Sequence, residues 1–98
     1  MKYELKDTID WMLSDDFRLR IKAEYWQLII RMDMLKKFVK KARYQENKNN
    51  VDDKLIDLLA SQYGAMNIYR LLLEGRNSLI GIDLENDGIV FEDLATED

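Results

Sequence analysis

No cysteine, histidine or proline occurs among the 98 residues. These absences remove disulfides, thiolate and imidazole zinc sites and the commonest nucleophile and base pairs. Any catalysis would have to rest on carboxylates, Lys, Tyr or Ser, and nothing pairs those groups into a catalytic or metal-ligating set, so no enzyme, metal or cofactor is expected. No apolar run approaches the roughly 20 residues of a membrane span. The opening residues, Met1 to Asp7, lack the apolar core of a secretory signal. A cytoplasmic protein without a membrane partner is therefore expected. A chain this short forms one domain and buries little surface by itself, which points to a homo-oligomer.

Charge is unevenly spread along the chain. Residues 1–81 hold all 15 Lys and Arg against 12 of the 19 acids, a balance of +3, whereas residues 82–98 hold seven acids and no base. The expectation is a mildly basic body, 1–81, carrying an acidic C-terminal arm, 82–98.

Hydrophobic spacing gives the fold class as all-α: an antiparallel two-helix hairpin with a short N-terminal helix and a short β-prone acidic arm. Ile9, Trp11, Met12 and Leu13 supply a short helix over about 5–13. Ser14-Asp15-Asp16 is a helix-start signal, with Ser14 as the cap of a long helix over about 15–46. Its seam runs Phe17, Ile21, Tyr25, Leu28, Met32, Leu35, Val39, Ala42, and Trp26, Ile29, Ile30, Met34 and Phe38 widen it enough for more than one neighbour. A polar loop follows at 45–50. Asn50 and Asp53 resemble a capping box for a second long helix over about 51–80. Its seam reads Leu55, Leu59, Gln62, Met66, Tyr69, Leu73, with Gly64 as a point of close backbone approach and Gly81 as the left-handed terminator. Beyond Gly81, alternation and a turn around Gly88 predict a small hairpin or extended arm.

Four clusters bear on chemistry. Asp83, Glu85, Asp87, Gly88 and Val90 fit part of a calcium loop, but Leu94 stands where a bidentate Glu is needed, so an acidic turn is the better reading. Asp52, Asp53 and Asp57 suit the first turn of a helix, where acids complement the dipole. Between 31 and 48, Arg31, Lys36, Lys37, Lys40, Lys41, Arg43 and Lys48 oppose only Asp33 and Glu46, which reads as a solvated outer face or an anion-attracting one. Arg18, Arg20 and Lys22 start the first long helix, and Arg70 and Arg76 end the second. In an antiparallel hairpin they converge near Trp26 and Tyr69, a set able to hold phosphate and stack on a base.

The run Arg20 to Phe38, the run Leu58 to Tyr69 and the step Leu73-Glu74-Gly75-Arg76 resemble small helical-hairpin proteins of bacteriophages and prophages, the crAss-like phages included. The shared pattern is an Arg, a Glu-Tyr pair, Leu, Arg, a Leu-Lys step, then Leu-Leu, Gln, Met, Tyr and a late Leu with Arg. It covers about 60 residues and leaves the arm from Asp83 to Asp98 unplaced. The architecture is also similar to nucleotide sponges of the anti-CBASS and anti-Thoeris kind, a likeness of fold. What the resemblance implies is a phage immune-evasion protein, acting in the host cytoplasm as a homo-oligomeric sponge for a cyclic nucleotide or other phosphate-bearing small molecule. Arg18, Arg20, Lys22, Arg70 and Arg76 would contact phosphate, and Trp26 or Tyr69 would stack. The alternative is a protein-interaction inhibitor such as an anti-CRISPR, whose acidic arm mimics nucleic acid and binds a host defence protein.

Overall fold

A 3-10 turn, Leu5–Asp7, runs directly into a short helix α1, Thr8–Met12, and two long helices follow, α2 at Phe17–Tyr44 and α3 at Asp53–Leu79. This computed structural model describes residues 2–44, 52–84, 89, 91, 93 and 94, and among them there is no strand. The all-helical class expected from the hydrophobic spacing is therefore present. The polar loop at 45–50, the turn residues Glu85, Asp87 and Gly88, and most of the β-prone arm lie outside the described residues. No helix among the described residues is long and apolar enough to cross a membrane.

Two caps differ from expectation. Asp16, not Ser14, starts α2: its Oδ1 accepts the Arg18 amide at 3.0 Å, while the Ser14 hydroxyl accepts the Asp16 amide at 3.0 Å and shapes the turn before the helix. Asp52 caps α3 by accepting the Lys54 amide at 2.8 Å; the expected cap, Asn50, lies outside the described residues. A carboxylate at either start satisfies a free amide and meets the positive end of the dipole. At the far end of α3, Gly81 has φ 75°. The Ile82 amide donates to the Asn77 carbonyl at 2.9 Å and the Gly81 amide to the Ser78 carbonyl at 3.2 Å. This is the paired closing pattern that a left-handed glycine permits.

The core forms around α2, which is buried on several sides: Tyr25, Trp26, Leu28, Ile29, Met32, Val39 and Ala42 all face inward. On one side α1 and the preceding strap pack edge-to-face through Tyr3, whose ring stands 4.9 Å from Trp11 and 4.8 Å from Trp26. On another side lies α3. Tyr25 donates to Glu74 at 2.6 Å and Arg76 donates to Glu24 at 2.8 Å, so the first part of α2 lies beside the last part of α3.

Of the expected seam of α3, Leu73 is buried and Leu59 and Met66 pack against the core, but the other half is displaced outward. Leu55, Gln62 and Tyr69 are exposed, and the inward line is Ile56, Ala60, Tyr63, Arg70, Leu73 and Asn77. A seam chosen for its apolar content shares Leu73 with the buried line but misses the arginine and the asparagine in it. On α2, Phe17, Met34 and Phe38 are likewise exposed. Nothing lies within 4 Å of a Cβ built at Gly64, so the close approach expected there does not occur within the chain.

The segment after Gly81 is drawn onto the helices. The Leu84 carbonyl accepts the Trp26 indole N–H at 2.9 Å, Phe91 packs under the Arg70 guanidinium at 3.7 Å, and the Leu94 carbonyl accepts Arg43 at 2.6 Å. Leu84 and Leu94 are buried. Apolar residues at intervals in an acidic stretch thus anchor its described residues, whereas its charge pattern alone suggested only an acidic arm carried by the body.

Candidate functional site

Four polar residues of α2, Arg20, Glu24, Gln27 and Arg31, recur at spacings of four, three and four and so share one face. With Met66 and Tyr69 of α3 and Met12 of α1 they line a groove of about 310 Å³, whose floor includes Ala23 and Leu28. That volume sits at the small end of ligand sites, roughly 300–1,000 Å³. Helix geometry sets the two arginines about 16 Å apart along the axis, one toward each end of the groove.

The two arginines differ in their bonding. Arg20 donates to the Ser14 carbonyl at 2.7 Å, a neutral acceptor, and its charge also acts on the nearby Asp16 carboxylate without a direct ion pair. Arg31 is exposed and has no hydrogen bond or ion pair among the described residues. Between them, Glu24 takes the Tyr69 hydroxyl and the Arg76 guanidinium, the latter at 2.8 Å. Gln27 donates to Thr8 Oγ1 at 3.0 Å and faces Met12 Sδ at 3.7 Å. The groove therefore offers two cations, an amide and one face of a phenol ring, with apolar methionine walls.

Partial burial by itself would raise the Glu24 pKa, but the hydrogen bonds from Tyr69 and Arg76 and the Arg76 charge outweigh it and hold the carboxyl below its ordinary 4.5. The same bond, with some burial, pushes the Tyr69 hydroxyl up. Because the folded-state value of Glu24 is depressed, its contribution is present above about pH 4.5 and fades as pH falls through the folded value. The wild type should accordingly be more stable than Glu24→Gln at pH 7, and the gap should narrow as pH falls below 4.5 and through the depressed folded-state value. Thermal unfolding of both proteins across that range checks it; a gap independent of pH would mean that the carboxylate charge contributes nothing.

Of the seven residues expected to bind ligand, Arg20 and Tyr69 line the groove and Arg76 reaches it through Glu24. Arg18 is paired with Asp16 at 3.3 Å outside it. Lys22 turns the other way, with its ammonium 4.6 Å from the Trp11 ring centre and 3.3 Å from the Tyr3 hydroxyl. Trp26 is fully buried and presents no free ring face for stacking, and Arg70 is buried against Glu74. The sequence reading missed Glu24 and Gln27 as lining residues and placed Arg31 on the basic outer face. The signal was available in the shared spacing of 20, 24, 27 and 31.

A family model described as Sequestin matches residues 15–79, a span that takes in α2, α3 and every groove residue except Met12. No curated protein and no solved structure matches the chain.

Proposed function

The chain belongs to the Sequestin family, and on that premise we propose that it is a phage-encoded, homo-oligomeric sponge that binds and withholds an anionic cyclic nucleotide signal of host immunity. The family's name denotes sequestration, which asks for tight holding and no chemistry. The supporting observation is Arg31, a cation without a partner among the described residues, facing the same groove as Arg20 and Tyr69. Phosphate suits the arginines, through charge-assisted and bidentate hydrogen bonds. A base suits the Tyr69 ring. Arg76 acts indirectly, since its bond to Glu24 helps hold the carboxylate that fixes the Tyr69 hydroxyl.

Native mass spectrometry with cyclic di- and trinucleotides and cyclic ADP-ribose isomers tests this reading. A ligand retained at its unaltered mass supports a sponge, and a ligand recovered as fragments would make the protein an enzyme. Arg31→Ala should weaken retention about ten- to a hundredfold, the worth of a hydrogen bond to a charged group. Retention of nothing from the panel, or unchanged retention by the Arg20→Ala/Arg31→Ala double variant, would overturn the proposal. Removing residues 82–98 is a poor discriminator from an arm-based inhibitor, because Leu84 and Leu94 leave the core with the arm.

A further inference from the structure

Helix α3 buries one face, Arg70 and Asn77 included, and is apolar on the opposite face as well. Its buried line repeats every seven residues through Ile56, Tyr63, Arg70 and Asn77. Two residues on from that line, and so about 200° around the helix, a second sevenfold line of Leu58, Ala65, Leu72 and Leu79 points outward. Leu58, Leu72 and Leu79 are 68%, 67% and 90% exposed, and Ile68 beside them is 62% exposed. The only charged residue from Leu58 to Leu73 is Arg70, which faces inward. Four turns of helix surface therefore carry no outward charge. A helix apolar all round is ordinarily buried all round, and an apolar strip of this length marks an interaction face.

We infer that the outer face of α3 is a self-association seam, on which α3 of a second copy lies antiparallel about a two-fold axis near Ile68. The sequence fits itself in that register. Ala65 of one chain opposes Leu72 of the other, small against large, and Leu58 opposes Leu79 at both ends. A parallel pair would set Ala65 on Ala65 and leave a gap between stacked leucines. Side chains at Ser61 and exposed Gly75 are small, and nothing lies within 4 Å of a Cβ at Gly75, so a second backbone can come close. Antiparallel pairing also separates the acidic starts, Asp52, Asp53 and Asp57, which parallel pairing would bring together.

The size is adequate. The facing half of a 27-residue helix, about 40 Å long and about 11 Å across, is roughly 700 Å², near the ~800 Å² per partner of a specific interface. A two-fold contact uses the same patch on both copies, so the assembly closes at two along this face. The seam borders the groove at Tyr69, which stands one residue from Ile68, but it does not depend on what the groove holds.

The full-length chain without ligand tests the seam. Light scattering on a sizing column should give twice the 11.7 kDa chain mass, and Leu72→Glu should halve it with the far-ultraviolet circular dichroism unchanged, since this side chain already faces solvent in the single chain. Because the protein has no cysteine, added thiols report geometry directly. Ile68→Cys should form an oxidised covalent dimer by itself. Leu58→Cys and Leu79→Cys should each fail alone and cross-link when mixed. A monomeric wild type, an assembly whose mass Leu72→Glu leaves unchanged, or self-linking of Leu58→Cys would overturn the inference. A chain that pairs in this way but retains no nucleotide would overturn only the sponge reading.

Discussion

Replacing Trp26 by Ala should lower the unfolding free energy by about 3–5 kcal/mol, the range for truncating a large buried aromatic. Trp26 is where three parts of the chain meet. Its ring is fully buried on α2, stands edge-on to Tyr3 from the N-terminal strap and to Tyr25 at 6.0 Å, and its N–H holds the Leu84 carbonyl of the C-terminal segment. Truncation opens a cavity and leaves that carbonyl without its donor. Small domains have only about 5–15 kcal/mol in total, so the variant should unfold at much lower urea. Trp26→Phe separates the two contributions: it keeps most of the packing and loses the hydrogen bond, at a cost of about 1–3 kcal/mol. Urea denaturation followed by circular dichroism measures both. A loss below about 1 kcal/mol in Trp26→Ala would show that the three segments do not depend on this ring.

The long helices were legible because their causes are local. Acids at each start, apolar spacing of three and four and the left-handed Gly81 are all written within a few residues of where they act. The face that α3 buries was not legible, because two apolar lines compete for the core and the line that wins contains Arg70 and Asn77. Arg70 goes inside with partners from its own helix, Glu74 and Asn67, and only its stacking on Phe91 comes from elsewhere in the chain, while the Asn77 side-chain oxygen takes Arg76 at 3.3 Å and its amide nitrogen has no hydrogen bond among the described residues. The C-terminal segment hid its role for a similar reason. Seven acids dominate its composition, while Leu84, Phe91 and Leu94 act one at a time on helices distant in sequence. In the groove, charge type was readable and direction was not. Arg18, Arg20 and Lys22 lie within one turn and a half of each other, yet one pairs with Asp16, one lines the groove and one covers the Trp11 ring.

Arg70→Met should be the next most damaging, at about 2–3 kcal/mol, because it takes the paired guanidinium from a part-buried carboxylate. The guanidinium donates to both Glu74 oxygens at 2.9 and 3.0 Å and to Asn67 at 2.8 Å, and its central carbon stands 3.7 Å from the Phe91 ring centre. Glu74 in turn takes the Tyr25 hydroxyl, whose own ionisation is driven upward by burial first and by that carboxylate second. Without Arg70, a carboxylate whose side chain is 30% exposed loses the guanidinium paired with it. Most of the loss should come from that stranded charge and not from the missing attraction, since a paired buried ion gains little over an apolar substitute. Glu74→Gln added to Arg70→Met removes the charge while keeping an acceptor for Tyr25, so the double variant should regain a substantial part of the stability. A double-mutant cycle by denaturation reads this directly, and a double variant no more stable than Arg70→Met would locate the cost in lost packing on Phe91. The same variant bears on the groove. An arginine whose charge is matched inside the fold has none to offer a phosphate, so under the proposed sponge function Arg70→Met/Glu74→Gln should leave nucleotide retention unchanged, where Arg31→Ala should weaken it.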